Sequence, residues 1–198
     1  MAGHGDTRLC GHSAAGLRRE WEMRTASIAV IAILAAVPAL AKDPFGRPEL
    51  PVPGSATKLQ VTFADTTSWN GRQVPRTMQC TRLGGLNPTS PELKVAGVPD
   101  ATKSLVVYVV NVRNYDNHGL MRFTGEREGA AWTIPPVRSL SGDLPKGVEL
   151  FDGGSQSGFA YASPCPGSGS WNYAITVYAL GEKDAVLAVG ELSMGFAP

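Results

Sequence analysis

The sequence predicts an all-β sandwich, and three observations support this fold class. Short runs of alternating or continuously apolar residues recur along the chain, a pattern typical of strands. Turn-forming residues separate these runs, since the 198 residues include 23 glycines and 15 prolines. No long helical period and no internal repeat is evident. Many short strands joined by turns are typical of a β-sandwich.

The N-terminal segment has the features of a secretory signal peptide. A positively charged flank, a short apolar run and an Ala-x-Ala pattern follow one another there. The charges are Arg18, Arg19 and Arg24, the run extends from Ile28 to Ala36, and the pattern is Ala39-Leu40-Ala41. We expect cleavage after Ala41 and a periplasmic or secreted protein, with an uncleaved anchor as the alternative. The run is shorter than the roughly 20 apolar residues that span a bilayer, so no stable membrane span is expected.

These features divide the chain into three parts. Residues 1–41 are an N-terminal extension with the signal peptide, residues 42–57 an extended proline-rich lead-in, and residues 58–198 the sandwich domain. Met23 lies at the usual distance before such an apolar run, which leaves the true start of translation open. We expect the residues before Met23 to be unstructured, and the chain after residue 41 to be long enough for one core.

Strands are expected where apolar residues alternate or run continuously. In chain order these segments are Lys58–Phe63, a short strand near Met78–Cys80, Glu92–Val95, Ser104–Val112, Leu120–Phe123 paired with Ala130–Ile134, Val148–Phe151, Trp171–Leu180 and Ala185–Phe196. The segment Ser104–Val112 is apolar on both faces, so we expect it to be central and covered on each side. The polar residues 113–119 are expected to form a loop.

The stretch from Ser163 to Leu180 combines a stiff loop with a buried strand. Pro164 and Pro166 restrict the backbone on both sides of Cys165. The strand that follows places alternate residues on one face, namely Trp171, Tyr173, Ile175 and Val177. Such a loop could hold side chains at the rim of a pocket. A plain surface turn before a core strand is the alternative, and these residues alone favour it.

Composition excludes several classes of function. The net charge of +1 gives no reason to expect nucleic acid or an anionic membrane as a partner. Only His118 remains after processing, so a His-rich zinc site is excluded and a Ser-His-Asp triad would have to use this residue. His118 lies in the polar segment 113–119, where a solvated loop histidine is the favoured interpretation. We therefore expect no catalysis, no cofactor and no metal site, with a hydrolase using His118 as a minor alternative.

The cysteines leave one question open. Cys10 is removed with the leader, and Cys80 and Cys165 remain. Two cysteines in an oxidising compartment could form a disulfide, or they could be two buried free thiols. The residues do not distinguish these two states.

Four blocks, taken together, resemble the phosphatidylethanolamine-binding protein family in its bacterial Raf kinase inhibitor-like branch. Each block is weak alone, but their order and spacing match over most of residues 58–196. The blocks are Asn70-Gly-Arg-Gln-Val-Pro75 with Cys80; Asn87-Pro-Thr-Ser-Pro-Glu-Leu93 followed by Gly97-Val-Pro99 and Thr102-Lys-Ser-Leu105; Tyr161-Ala-Ser-Pro-Cys-Pro166 followed by Trp171-Asn-Tyr173 and Tyr178-Ala-Leu180; and the closing strand Ala188–Phe196. The resemblance implies two antiparallel sheets with Greek-key links and few short helices. It also implies a small anion pocket that receives a phosphate or a phospholipid head group.

The chain departs from the family pattern at the residues that hold the phosphate. The family's D-P-D-A-P run corresponds to Asn111–Tyr115, so the first carboxylate becomes an amide. The family's His-Trp strand falls near Glu128–Gly129, or near Arg122–Phe123 if the hairpin is longer, and its histidine is missing in either position. The histidine of the H-R-Y block becomes Trp171. We therefore expect a modified pocket.

The resemblance gives five candidate ligand-binding residues: Asn111, Glu128, Tyr161, Pro164 and Trp171. Arg113 and Arg122 could hold an anion if they face the pocket, whereas Glu128 there would favour a neutral or cationic group. Trp171 could stack on a cation or could fill the pocket as a core aromatic. The resemblance thus implies an exported binding protein for a small anionic or phospholipid-like ligand. The alternative is a protein-interaction or inhibitor module with a degenerate pocket.

Overall fold

A computed structural model describes residues 48–198, except for Glu126, Glu128, Ala130 and Asp152. The predicted signal peptide and the first residues of the lead-in lie outside the described residues. The strands are β1 Thr57–Lys58, β2 Gln60–Phe63, β3 Leu93–Ala96, β4 Ser104–Asn111, β5 Asn117–Phe123, β6 Ala131–Ile134, β7 Val148–Leu150, β8 Trp171–Leu180 and β9 Val186–Ala197. Helical structure in this part of the chain is limited to the 3-10 turns Arg76–Met78, Thr81–Leu83 and Glu182–Asp184. None of these turns is long or apolar enough to cross a membrane.

The strands form two sheets that enclose one main core. The larger sheet has the order β1-β9-β8-β4-β5-β7, and the smaller has the order β2-β3-β6. All strand pairs are antiparallel except β1 with β9, which is a parallel pair of two residues. The predicted all-β sandwich with Greek-key connections is therefore confirmed.

The central position of β4 follows from its composition. All eight of its residues are buried, as expected for a strand that is apolar on both faces. Val107 and Val109 face the core between the sheets, whereas Val106 belongs to a second apolar cluster on the outer face. Leu50 of the proline-rich lead-in and Phe151 pack against that second cluster. Because both of its faces are covered, β4 is a central strand of the larger sheet, between β8 and β5.

Two alternating strands have the predicted faces. Leu59, Val61 and Phe63 are buried while their neighbours Lys58, Gln60 and Thr62 are exposed. In β8 the buried residues are Tyr173, Ile175, Val177 and Ala179, with Trp171 half-buried at the start of the same face. The period of two therefore identified the core side of both strands.

One predicted strand is wrong. The residues near Met78–Cys80 form the end of one 3-10 turn and the start of another. Pro75 fixes the backbone before the first turn, and the Cys80 amide donates to the Pro164 carbonyl oxygen at 2.9 Å. Because this amide is bonded to a distant loop, it is not available to a neighbouring strand.

The predicted pairing of Leu120–Phe123 with Ala130–Ile134 is also wrong. The strand β5 pairs with β4 and β7 in the larger sheet, whereas β6 pairs with β3 in the smaller sheet. The glycine-containing segment between them carries the chain from one sheet to the other. Alternation within two short segments does not reveal which sheet each one joins, so the short connection suggested a hairpin.

The glycine at position 195 allows the chain to close around the end of β9. Gly195 has a φ of +95°, and an added Cβ would lie 2.3 Å from the Arg72 carbonyl carbon. The residue after it, Phe196, donates its amide to the Arg72 carbonyl oxygen at 3.0 Å and accepts from the Val74 amide at 2.9 Å. Gly195 also lies opposite Tyr173 in the β8–β9 register. This contact fixes the edge of the sheet next to the start of β8.

We predict that Gly195→Ala lowers the free energy of unfolding by more than about 2 kcal/mol, because it combines a strained backbone with a backbone clash. Chemical denaturation measures this change. Gly142→Ala is the matched control, since an added Cβ there meets nothing within 4 Å. The control should change stability by less than about 0.5 kcal/mol. Equal effects of the two substitutions would contradict the close approach at Gly195.

Candidate functional site

A group of buried polar side chains lies where β4 ends and where β5 and β8 begin. Asn111, His118, Tyr161, Trp171 and Tyr173 form this group, which we call the polar cluster. Asn111 and Tyr161 have a relative exposure of 0%, and that of Tyr173 is 1%. His118 and Trp171 are half-buried. The cluster therefore reaches solvent only at its histidine and tryptophan members.

The pairing of β4 with β8 brings three members of the polar cluster together. Asn111 lies directly opposite Tyr173 in the register, so both side chains point to the same face of the sheet. Trp171 precedes Tyr173 by two residues and therefore lies on that face too. Beyond the last pair, the Val112 amide donates to the Asn172 carbonyl oxygen at 2.8 Å. Asn111 and Trp171 are thus positioned by the regular geometry of the sheet.

A β-bulge directs His118 into the polar cluster. The β4–β5 register passes from Val109 opposite Gly119 to Val110 opposite Asn117, so His118 is the extra residue. Its ring packs edge-on against the ring of Tyr173, with 5.0 Å between the ring centres. The expectation of a solvated loop histidine is wrong because residues 117–119 belong to β5. The polar composition of segment 113–119 hid a strand that begins within it.

His118 is also bound to the strand-free segment that precedes β8. Its Nδ1 lies 3.1 Å from the Ala162 carbonyl oxygen, and its own carbonyl oxygen accepts from the Ala162 amide at 2.6 Å. The first contact requires a proton on Nδ1, which leaves the lone pair of the neutral ring on Nε2. These two bonds place Tyr161, the residue before Ala162, beside the histidine.

The structure adds a histidine to the cluster that the family pattern did not point to. His118 lies on β5, the strand that follows residues 111–115 and pairs with β4. The absence of the family's own histidine, expected near Glu128–Gly129 or near Arg122–Phe123, stays a prediction.

Neither of the arginines considered for anion binding belongs to the polar cluster. Arg122 donates to Asp184 at 2.9 Å, and its guanidinium carbon lies 4.9 Å from the centre of the Phe151 ring. Arg113 is exposed, and its amide donates to Asn111 Oδ1 at 2.9 Å. Glu128 lies outside the described residues. Among the described residues, the cluster is therefore built from neutral groups.

Burial controls the ionisation of the titratable groups in the cluster. It lowers the pKa of His118, and this effect outweighs the Ala162 carbonyl, the Asp116 carboxylate and the Ser163 backbone, which all favour the charged ring. Burial also raises the pKa of Tyr161 above its ordinary value, with a further increase from Tyr173. The pKa of Tyr173 is raised to about 12, mainly by burial, with Asp116 adding to the rise and the Cys165 backbone opposing it. At neutral pH both phenols are therefore protonated donors.

Several donors of the polar cluster are buried without a hydrogen-bond partner in the described part of the chain. They include Asn111 Nδ2, the Tyr161 hydroxyl and Trp171 Nε1, and the Tyr173 hydroxyl is a fourth. The orientation of the Asn111 amide is fixed because its oxygen accepts from the Arg113 amide. A buried donor without a partner costs about 1–3 kcal/mol. Such a set is suited to acceptor atoms supplied from outside the chain.

A stiff segment, Ser163–Pro166, borders the cluster, and we call it the lip. Cys165 forms a disulfide with Cys80, with 2.03 Å between the sulfur atoms, so the two cysteines are paired. Arg82 donates from Nη2 to the Pro166 carbonyl oxygen at 2.6 Å. The lip is thus held by one covalent bond and by hydrogen bonds at Pro164 and Pro166. The lip is therefore a fixed segment, and its role as the rim of a pocket stays a prediction.

Of the five candidate residues, Asn111 and Trp171 lie on one face of the larger sheet, Tyr161 lies next to the Ala162–His118 contact, and Pro164 lies in the lip. The fifth, Glu128, remains a prediction. Sequence reasoning missed His118 and Tyr173 as members of the site. Tyr173 was identified only as a core position of its strand, and its place opposite Asn111 depends on the β4–β8 register.

Other features of the surface lie apart from the cluster. Three open clefts of about 490–570 Å³ are lined by other residues, at Arg127 and Lys146, at Lys58 and Glu191, and at Leu50 and Phe151. Among the described residues no group of three or more His, Cys, Asp or Glu side chains could hold a metal ion.

Comparisons with known proteins agree on one family. A family model described as phosphatidylethanolamine-binding protein matches residues 64–195. The UPF0098 protein PH1269 of Pyrococcus horikoshii is 33% identical over 100 residues, which cover 46% of this chain and 47% of that protein. The match thus spans about half the length of this relative.

Two solved structures are also similar. E. coli YbcL, described as a member of the mammalian PEBP family, has 24% identity and a TM-score of 0.51, and the match covers 71% of this chain and 98% of YbcL. The PEBP homologue CT736 of Chlamydia trachomatis has 21% identity and a TM-score of 0.48, with coverage of 72% and 99%. The likeness to YbcL supports the fold.

We predict that the free energy of unfolding falls as the pH decreases from 7 to 5, partly because of His118. Its pKa is lowered in the folded state, so the unfolded state binds more protons below the ordinary histidine pKa of about 6.5. One such group contributes at most about 1.4 kcal/mol per pH unit. Urea denaturation at several pH values measures the slope. His118→Asn, which keeps a donor near Ala162, should make the slope smaller, and an unchanged slope would refute the assignment.

Proposed function

The chain belongs to the phosphatidylethanolamine-binding protein family, and on this premise we propose that it is an exported binding protein with a modified ligand pocket. The proposed ligand is a small anion or a phospholipid-like head group whose oxygen atoms enter the polar cluster. No catalytic step is proposed. The observation that carries this proposal is that buried donors at Asn111, Tyr161 and Trp171 have no partner among the residues that the structure describes.

The chemistry of these donors favours an oxygen-rich ligand. An amide, a phenol and an indole each donate a hydrogen bond without carrying charge. Phosphoryl oxygens accept several hydrogen bonds, so one head group could satisfy donors that otherwise lack partners. The amide at Asn111 supports this ligand, since its Nδ2 can donate to a phosphoryl oxygen, whereas an ionised carboxylate could only accept. The selectivity of the proposed pocket thus rests on hydrogen bonds rather than on an arginine.

His118 would link ligand binding to protonation. The ring is neutral near pH 7 because burial lowers its pKa. An anion bound beside it would favour the imidazolium form and raise that pKa. Binding would then take up a proton, and affinity for an anion would increase as the pH falls toward 6. As the pH falls, the affinity for an anion would therefore increase while the free energy of unfolding of the ligand-free protein decreases.

No catalytic step is proposed because the hydroxyls of Ser139 and Ser163 are hydrogen-bonded to each other. Ser139 donates its hydroxyl to the Ser163 hydroxyl at 3.1 Å and accepts from the Ser163 amide at 2.8 Å. A nucleophile activated by His118 is therefore not part of the proposal.

A protein-interaction or inhibitor module is the second candidate function. The 0% exposure of both Asn111 and Tyr161 favours it, because a closed cluster leaves little room for a ligand. In that case the donors would be satisfied by buried water, which commonly bridges such groups. Ligand titration distinguishes the two candidates, since only an accessible cluster responds to a head group.

Export is supported by two independent features. The N-terminal segment has a charged flank, an apolar run and an Ala-x-Ala pattern ending at Ala41. The Cys80–Cys165 disulfide is typical of proteins that reach an oxidising compartment. A periplasmic or secreted location is therefore part of the proposal.

We predict that inorganic phosphate and phosphoethanolamine raise the midpoint of thermal unfolding, and that Tyr161→Phe reduces this effect. The lost donor should weaken binding roughly tenfold, the size expected for one hydrogen bond to a charged group. Without ligand, Tyr161→Phe should be as stable as the unmodified protein, because the hydroxyl has no partner to lose. Differential scanning fluorimetry and isothermal titration calorimetry measure the two effects.

Tyr178→Phe is the matched control for this experiment. Tyr178 lies on the opposite face of β8 and packs against the outer apolar cluster. Tyr178→Phe should leave the affinity for phosphate and phosphoethanolamine unchanged. A response to phosphoethanolamine alone would identify the head group as the preferred source of the phosphoryl oxygens. No response to either compound would overturn the ligand-binding proposal and favour a protein partner.

We predict that the mature protein begins at Lys42. Expression of the full chain in a bacterial host, followed by N-terminal sequencing of the periplasmic fraction, tests this boundary. Ala41→Arg should block cleavage, because the site requires a small residue there. Recovery of the uncleaved chain only in the cytoplasmic fraction would contradict export.

A further inference from the structure

The Cys80–Cys165 disulfide lies beside the charged side chain of Arg82. Cys80 and Cys165 are both half-buried. Arg82 Nη2 lies 3.6 Å from the Cys165 sulfur, and the same nitrogen donates to the Pro166 carbonyl oxygen. One cation therefore contacts both a sulfur of the disulfide and the backbone of the lip.

The second observation is that the lip continues directly from a segment that is bonded to the polar cluster. Ala162, the residue before the lip, makes two hydrogen bonds with His118. The Cys80 amide holds the Pro164 carbonyl, three residues after Tyr161. Movement of Cys165 would therefore be transmitted along the chain to Tyr161 and to the contact between Ala162 and His118.

We propose that the Cys80–Cys165 bond is a redox-controlled clasp that sets the affinity of the polar cluster for its ligand. This inference rests on the proposed ligand-binding function. The oxidised clasp holds the lip next to the segment Tyr161–Ala162 and gives the binding-competent site. The reduced chain keeps its fold but releases the lip, and its affinity falls.

The exchange reaction needs a dithiol reductant as its second reactant. One thiolate of the dithiol attacks the Cys80 sulfur and forms a mixed disulfide, while the Cys80–Cys165 bond breaks and its electron pair goes to the Cys165 sulfur. Arg82 stabilises the leaving thiolate. The second thiol then attacks the mixed disulfide and releases Cys80. The dithiol is oxidised by two electrons, and its two protons balance the two cysteine thiols that form.

The fold provides a reason for reduction to be local. The lip and the 3-10 turns around Cys80 lie outside the sheets, whereas the core clusters are built from β-strand and loop residues that do not include either cysteine. The β4–β8 and β8–β9 pairings are continuous without the disulfide. Breaking the bond would therefore release a bordering segment before it disturbs the sandwich.

The redox step is tested without any ligand. The oxidised protein is incubated with dithiothreitol under native conditions, and the thiols are alkylated and counted by mass spectrometry over time. Arg82→Gln should slow reduction about threefold or more, because loss of the cation raises the pKa of the leaving thiol. Arg82→Lys keeps the charge and should restore most of the rate. Arg138→Gln is the matched control, since Arg138 donates to Asn87 and does not contact the disulfide.

The coupling to the cluster is tested with inorganic phosphate. We expect oxidised protein to bind phosphate about tenfold more tightly than reduced, alkylated protein whose circular dichroism is unchanged. Equal affinities, a disulfide that resists native-state reduction, or unfolding on reduction would each overturn the clasp. If the oxidised protein does not bind phosphate, the proposed function fails, and the reduction rates of the Arg82 variants still report on the exchange step alone. Equal rates for Arg82→Gln and the unmodified protein would overturn the role of Arg82.

Discussion

The antiparallel pairing of β4 with β8 is the interaction on which the rest of the structure depends. It runs without interruption from Ser104 opposite Leu180 to Asn111 opposite Tyr173. The apolar residues along it fill the main core and the outer cluster, so burial holds the pairing in one register. A slip of one residue would turn Tyr173 to the other face and separate it from Asn111. The position of the polar cluster is thus a consequence of core packing.

The lip depends on a different kind of constraint. Pro164 and Pro166 restrict its backbone, but neither proline determines where the segment lies relative to β4 and β8. Its location is fixed by distant partners, namely the disulfide to Cys80 and the Arg82 contact at Pro166. The site therefore combines a cluster set by the sheets with a border set by a long-range bond. The cluster and its border thus depend on different constraints, and in the clasp that we propose the border would move while the sheets keep their pairing.

Much of the fold and part of the site could be predicted from the sequence. Apolar periodicity predicted the fold class, the central position of β4 and the core faces of β2 and β8. These features could be predicted because buried positions along a strand are occupied by apolar residues. The resemblance gave Asn111, Tyr161, Pro164 and Trp171. Periodicity could not assign β5 and β6 to different sheets, since alternation looks the same in either sheet. It also could not identify His118, because a bulge directs this side chain and a single sequence contains no clear signal for that bulge.

The buried donors lower the stability of the free protein, and the same donors would bind a ligand. Asn111, Tyr161 and Trp171 each hide a hydrogen-bond donor that has no partner in the described part of the chain. The protein tolerates these losses because the β4–β8 pairing and the core around it supply stability elsewhere. A ligand that accepts from several of these donors recovers hydrogen bonds that folding left unmade, and binding would therefore stabilise the folded state. A cluster that was only a remnant would have no such reason to keep three donors together, and apolar side chains of similar shape would be more stable there.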